Sequence, residues 1–137
     1  MIIQRVVELS KETPKIISLL DDRVYPVEWP DAPLYPLAIV QRGTGMGETD
    51  MQGEAGIEAA RVQIDVYHDR GYAACVALCL EFRRLLHGYR GGPTSAPCVI
   101  DRSACINMAD LPVPEMARGG PRLRRRMLEF MIWNREV

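Results

Sequence analysis

The stretch from Arg61 to Leu86 (RVQIDVYHDRGYAACVALCLEFRRLL) constrains the fold more than any other part of the chain. It opens with strict alternation. Val62, Ile64 and Val66 point one way and Arg61, Gln63 and Asp65 the other, which is the period-2 signature of a strand with one buried face and one solvated face. A few residues later the period changes. Asp69 is placed to cap a helix, and Tyr72, Cys75, Val76, Cys79, Phe82 and Leu86 recur at spacings of three and four. The stretch therefore predicts a strand over 61–67, a tight turn at Gly71, and an amphipathic helix over 70–87 that folds back onto the strand's apolar face. This identifies a fold unit but carries no chemistry.

A chain of 137 residues fits one domain, 1–137, and folding at this size buries roughly two-thirds of the unfolded surface. With 47% hydrophobic residues and a net charge of −1, the composition is that of a soluble globular protein. The longest strongly apolar run, Tyr72 to Leu80, falls short of the ~20 residues of a membrane span, so no membrane partner is expected. Arg5 and Glu8 interrupt the N-terminal apolar stretch, which lacks a small-residue cleavage site and does not read as a signal peptide. Cys75, Cys79, Cys98 and Cys105 are then expected as free thiols in a reduced, intracellular setting. The near-neutral total hides an asymmetry: residues 1–82 hold 7 basic and 13 acidic residues, while residues 83–137 hold 10 basic and 5 acidic. Such polarity suits head-to-tail self-assembly or an acidic partner, and chance clustering accounts for it equally well.

Taken in order, Ile3, Val6 and Val7, then Ile16, Ile17, Leu19 and Leu20, predict two short helices or one kinked helix, with Thr13-Pro14 as N-cap and first-turn proline. Pro26, Pro30, Pro33 and Pro36 make Arg23 to Pro36 an extended connector with room for one short strand at Val24-Tyr25. Leu37 to Arg42 is a strand, apolar on both faces and hence inside the sheet. Gly43 to Gly56 holds five glycines in fourteen residues, far more than a hairpin needs. It is either a mobile insertion or an arm that orders against a partner, with Met46 and Met51 as adaptable contacts. His87 to Pro97 is loop, Cys98 to Met108 a strand with Cys98 and Ile100 on one face, and Ala109 to Pro121 loop again. Together these elements predict an α+β fold: a small antiparallel or mixed sheet of about four strands, packed against the amphipathic helix and the N-terminal helices, with a long hairpin loop.

The last strand, Arg122 to Trp133, is apolar on both faces. Leu128, Phe130 and Ile132 share one, and Met127, Met131 and Trp133 occupy the other. With helices on one side only, the second face must be covered by a long loop such as the proline-rich connector, or by another subunit. Arg122, Arg124 and Arg126 project from one strand face and could grip phosphates, or could be a solvated strand end that discourages edge pairing. The candidate subunit or partner interface is therefore Met46, Met51, Met127, Met131, Trp133, Arg122, Arg124 and Arg126.

Nothing in the chain reads as a catalytic, cofactor-binding or metal site. Cys75 and Cys79 lie one helical turn apart, but on an apolar stripe where cysteine acts as a small core residue, and His68, His87, Cys98 and Cys105 complete no zinc spacing. Pairing a cysteine with His68 or His87 finds no orienting carboxylate. GTGMG lacks the Lys-Ser/Thr of a phosphate-binding loop.

The parts in sequence, from the N-terminal helices through Arg23-Val24-Tyr25-Pro26, the strand after Pro36, the glycine-rich gap and Val62-Gln63-Ile64-Asp65-Val66-Tyr67 to the closing Leu128-Glu129-Phe130-Met131-Ile132-Trp133-Asn134-Arg135-Glu136, resemble the tail completion family of long-tailed bacteriophages and prophages. That family is related to tail terminator and head-to-tail joining proteins. The resemblance spans nearly the whole chain and rests on diffuse strand patterns, with Glu129 where many relatives carry an acidic residue before the phenylalanine. It implies an α+β subunit of the virion tail, assembled in the host cytoplasm into a homo-oligomeric ring, commonly sixfold. Such a ring meets the tail tube protein and the head connector, with no catalysis and no cofactor. A small cysteine- or metal-dependent enzyme and an arginine-strand nucleic-acid binder are the alternatives.

Overall fold

Two short helices come first. α1 (Ile2–Glu12) buries Ile2, Val6, Val7 and Leu9 along one side, and α2 (Pro14–Leu20) buries Ile16 and Leu20. Proline is tolerated at the start of α2 because a first-turn N–H has no helical acceptor. Thr13 is the backbone N-cap, but its hydroxyl donates back to the Leu9 carbonyl at 2.8 Å and leaves α2 without a side-chain cap. The rest follows as β1 (Val24–Pro26), β2 (Leu37–Arg42), β3 (Ile57–His68), α3 (Tyr72–Leu86), β4 (Cys98–Leu111) and β5 (Arg124–Glu136). This computed structural model describes residues 2–43, 57–91, 98–114 and 120–136. Met46 and Met51, with nearly all of the glycine-rich segment, lie outside them.

The strands form one open mixed sheet in the order β1-β2-β3-β5-β4. β1 runs parallel to β2, and every other pair is antiparallel. The α+β expectation holds, with five strands instead of four because the Val24-Tyr25 segment pairs fully with Ala38 to Val40. β5 lies between β3 and β4 and pairs with β3 from Ile57↔Arg135 to His68↔Arg124. All three helices bury their apolar sides on one face. There Cys75, Leu78, Cys79, Phe82 and Leu86 of α3 join Val62, Ile64 and Val66 of β3 and Leu128, Phe130 and Ile132 of β5 in one cluster. Each fully buried aliphatic or phenyl side chain there contributes about 1.5–3 kcal/mol.

Several boundaries differ from expectation, each for a physical reason. α3 starts at Tyr72 with Gly71 at its N-cap in the left-handed region (φ 97°), so Asp69 lies too far upstream to cap it. The Asp69 carboxylate instead lies 3.9 Å from His68. Tyr72 is exposed and Leu78 takes a core place. β4 continues past Met108 through Ala109 to Leu111 and stops at Pro112, so the loop begins later than its prolines implied. β5 begins at Arg124 because Gly120 to Leu123 form a turn closed by the Leu123 N–H on the Gly120 carbonyl. β4 also carries two bulges, between Ile100 and Arg102 and between Cys105 and Asn107. Each extra residue inverts the alternation, so the helix-facing residues run Ile100, Ser103, Cys105 and then Met108, opposite Asn134, Ile132, Phe130 and Leu128.

Candidate interaction surface

The sheet's second face divides into two unlike halves. Over the β1–β2–β3 end, Leu37, Ile39, Tyr67 and Leu123 are buried beneath Tyr25, Trp29, Tyr35 and Val113. Trp29, carried by the connector, stacks edge-on against Tyr67 (ring centroids 4.6 Å apart) and Tyr35 (6.5 Å). The proline-rich connector therefore does cover part of this face, as one of the two readings required. Burial, reinforced by Asp65 and opposed by Arg125, pushes the Tyr67 hydroxyl up to about 12.

At the border of that cover sits Asp65. It was expected to be solvated with Arg61 and Gln63, yet it is 1% exposed. Its carboxylate accepts from Gln41 Nε2 (2.8 Å), from Gln63 Nε2 (3.1 Å) and from both Nε and Nη2 of Arg125 (3.2 and 3.1 Å). Arg125 also donates to the Pro112 carbonyl at 3.3 Å, tying the β4–β5 connection to the sheet. A buried carboxylate is tolerable only when paired and hydrogen-bonded in this way.

Beyond Asp65 no described segment packs over the face. Met127, Met131 and Trp133 stand in line on β5, in register with Asp65, Arg61 and Ala59 on β3 and with Ala109, Ala104 and Arg102 on β4. They are half-buried by these neighbours and belong to neither hydrophobic cluster. The charged groups among them have partners. Arg61 pairs with Glu129 at 3.6 Å, and the Arg102 guanidinium lies 4.9 Å above the Trp133 ring. Gly43 closes one side, where an added Cβ would stand 2.7 Å from Arg61 Cγ, so a side chain there would displace the arginine stem. The result is a strip of methionine and tryptophan bordered by paired charge, and Met and aromatic residues are enriched at protein–protein contacts.

Arg122, Arg124 and Arg126 lie apart from this strip. Arg126, opposite Val66, faces the helix side, where it pairs with Asp110 at 2.6 Å and donates to the Tyr72 hydroxyl. Arg124 donates to the Pro121 and Leu123 carbonyls, and Arg122 to the Arg70 carbonyl at 3.0 Å. The structure thus separates the arginines from Met127, Met131 and Trp133, and it ties each guanidinium to a neighbouring oxygen. The Asp65 network escaped the sequence reading, which offered the proline-rich connector as cover without naming the aromatic residues that supply it. An aspartate in an alternating strand gives no sign that a glutamine and an arginine from other strands will meet it.

The thiols and imidazoles do not pair. Cys75 and Cys79 are buried on α3, and a mutual hydrogen bond together with burial pushes the Cys79 thiol well above its ordinary range. His68 Nδ1 accepts the Arg70 N–H and His87 Nδ1 the Cys105 N–H. A depression of about 400 Å³ beside β4 gathers His87, Asp101 and Ser103, but not as a triad. The Ser103 hydroxyl has no partner among the described residues, and Asp101 pairs with Arg135, whereas nucleophile, base and orienting group must be hydrogen-bonded in series. Among the described residues no group of three or more His, Cys, Asp or Glu could hold a metal ion, and no helix is long and apolar enough to cross a membrane.

No protein-family model matches the chain, and no curated protein matches it. Among solved structures, a chain in the virion of a native gene transfer agent (GTA) particle is similar, with a TM-score of 0.64 over 94% of this chain and 90% of that one at 20% sequence identity. The likeness is one of fold, carried across nearly the full length of both chains.

Proposed function

We propose that this protein is a structural component of a phage-like particle, a tail completion subunit that ends the tail tube or joins it to the head. It acts as a ring of identical copies and without catalysis. The observation that carries this reading is the full-length fold correspondence with a chain of a gene transfer agent virion. The open strip at Met127, Met131 and Trp133 supplies the surface that ring contacts require. Met46 and Met51 are proposed to reach the neighbouring copy, and Arg122, Arg124 and Arg126 to border the contact from the helix side. The partners are then other copies, the tail tube protein and the head connector.

Mass measurement of the purified chain, alone and mixed with tail tubes, tests the reading. A closed ring or a species capping tube ends is the expected outcome. A strict monomer at high concentration that never binds tubes would overturn it. Met131→Asp places a carboxylate in the open strip and should abolish assembly without unfolding the chain, because a charge buried at a contact without a partner is strongly unfavourable.

A further inference from the structure

Between α2, the turn at Pro36 and the β3–α3 turn lies a second depression, of about 260 Å³, lined by Leu19, Arg23, Tyr35, Pro36, His68 and Arg70 among others. We infer that it receives a single carboxylate side chain, a glutamate or aspartate presented by a neighbouring protein subunit. The anion site stands on its own geometry; only the source of the carboxylate rests on the assembly reading above.

Wherever arginines are partly buried in the sheet, the chain supplies a carboxylate: Arg61 with Glu129, Arg125 with Asp65, Arg126 with Asp110. Arg23 and Arg70 share this depression, and neither guanidinium pairs with a carboxylate among the described residues. Arg23 is nevertheless held in place. Arg23 Nε donates to the Pro36 carbonyl at 2.8 Å, which fixes the plane of the group and leaves its terminal nitrogens for a ligand. Arg70 is exposed at the rim; only its backbone is fixed, its N–H on His68 Nδ1 and its carbonyl accepting from Arg122. A planar guanidinium with two free nitrogens matches a carboxylate edge, and prior immobilisation lowers the entropic cost of binding.

Leu19, 44% exposed, Pro36 and the Tyr35 ring bring apolar surface to the same hollow. Such walls accommodate the methylenes of an acidic side chain and give nothing to a bare phosphate. Burial also holds His68 below its ordinary pKa, with Asp69 opposing the effect and Arg70 adding to it; the Asp69 carboxylate lies 3.9 Å from His68, so the two arginines outnumber it by one at the site. A recessed pit with two cations takes one protruding group. A nucleic-acid backbone is met by a stripe of cations along a surface.

The test is side-chain NMR of the arginine Nε–H groups in the full-length chain. N-acetylglutamate N-methylamide, its glutamine counterpart, inorganic phosphate and a short DNA duplex are titrated separately. Saturable shifts at Arg23 and Arg70 with the glutamate compound alone, weakened about tenfold by Arg70→Gln, are the expected result. Arg70 is exposed and its side chain makes no hydrogen bond or ion pair among the described residues, so that variant folds normally; Arg23→Gln should weaken binding comparably. Equal shifts with the glutamine compound, or no saturation at either arginine, overturn the site. Tighter binding of phosphate or DNA overturns the protein carboxylate as its occupant. The mass of the same samples is read alongside, so loss of the ring with glutamate binding intact counts only against the assembly reading.

Discussion

The two halves of the second sheet face are built from the same strands, β3 and β5 among them, yet they meet different fates. At the end near Tyr67, a tryptophan and a tyrosine from the connector close over Leu37, Ile39 and Tyr67, and the chain supplies its own cover. Toward Trp133, no described segment is packed over Met127, Met131 and Trp133, and the neighbouring charges are paired within the strip itself. The difference shows that apolar residues on a second face have two physical roles. Those beneath an intramolecular cover are part of the core and should cost stability when lost. Those on a half-buried strip whose charges are already paired can change with little effect on folding, and their cost appears only when copies meet.

Substitutions can break or sharpen that contrast. The largest effect should come at the border, where Asp65→Ala would leave Arg125, Gln41 and Gln63 facing an empty acceptor; a loss of about 3–5 kcal/mol is expected in denaturant unfolding. Trp29→Ala should follow at about 2–3 kcal/mol, since it strips the cover from Tyr67 without opening the helix-side core. If Trp29→Ala were neutral, the covered half would be no different in kind from the open one. Tyr67 offers a milder probe. Its hydroxyl holds its proton more tightly folded (about 12) than unfolded (10.0), so its contribution is intact below pH 10 and should fade as pH rises toward 12. Phenolate absorbance during alkaline unfolding would follow this, and a Tyr67 that ionises near pH 10 in the folded chain would deny the burial. Smallest of all, Met131→Asp should shift unfolding by no more than about 1 kcal/mol. A larger loss would make the open strip ordinary core.

Much of the fold was legible in the sequence because its signals are local. The alternation from Val62 to Val66, the Thr13-Pro14 junction and the apolar run of β2 each depend on neighbours a few residues away, and the structure returns them with small changes at the ends. β4 was harder, because its bulges at Asp101 and Ile106 twice reverse which residues face the helices, and a period-2 reading cannot survive an inserted residue. The two-faced character of β5 was readable, but not the division of its second face, since the cover comes from Trp29 and Val113, far away in sequence. The separation of Arg126 from Met127 follows from simple alternation. Its pairing with Asp110 depends on a register that only the folded sheet defines.

The strand order also has a consequence for the timing of synthesis. β5 is the last strand in chain order, yet it occupies a central place between β3 and β4. Until it emerges from the ribosome, β3 has only β2 beside it and β4 has no strand partner at all. The line that carries Met127, Met131 and Trp133 is laid down in the same step that closes the sheet. A nascent chain therefore cannot present this surface before the sheet is joined, and a copy lacking β5 would leave β4 unpaired and have no strip with which to enter an assembly.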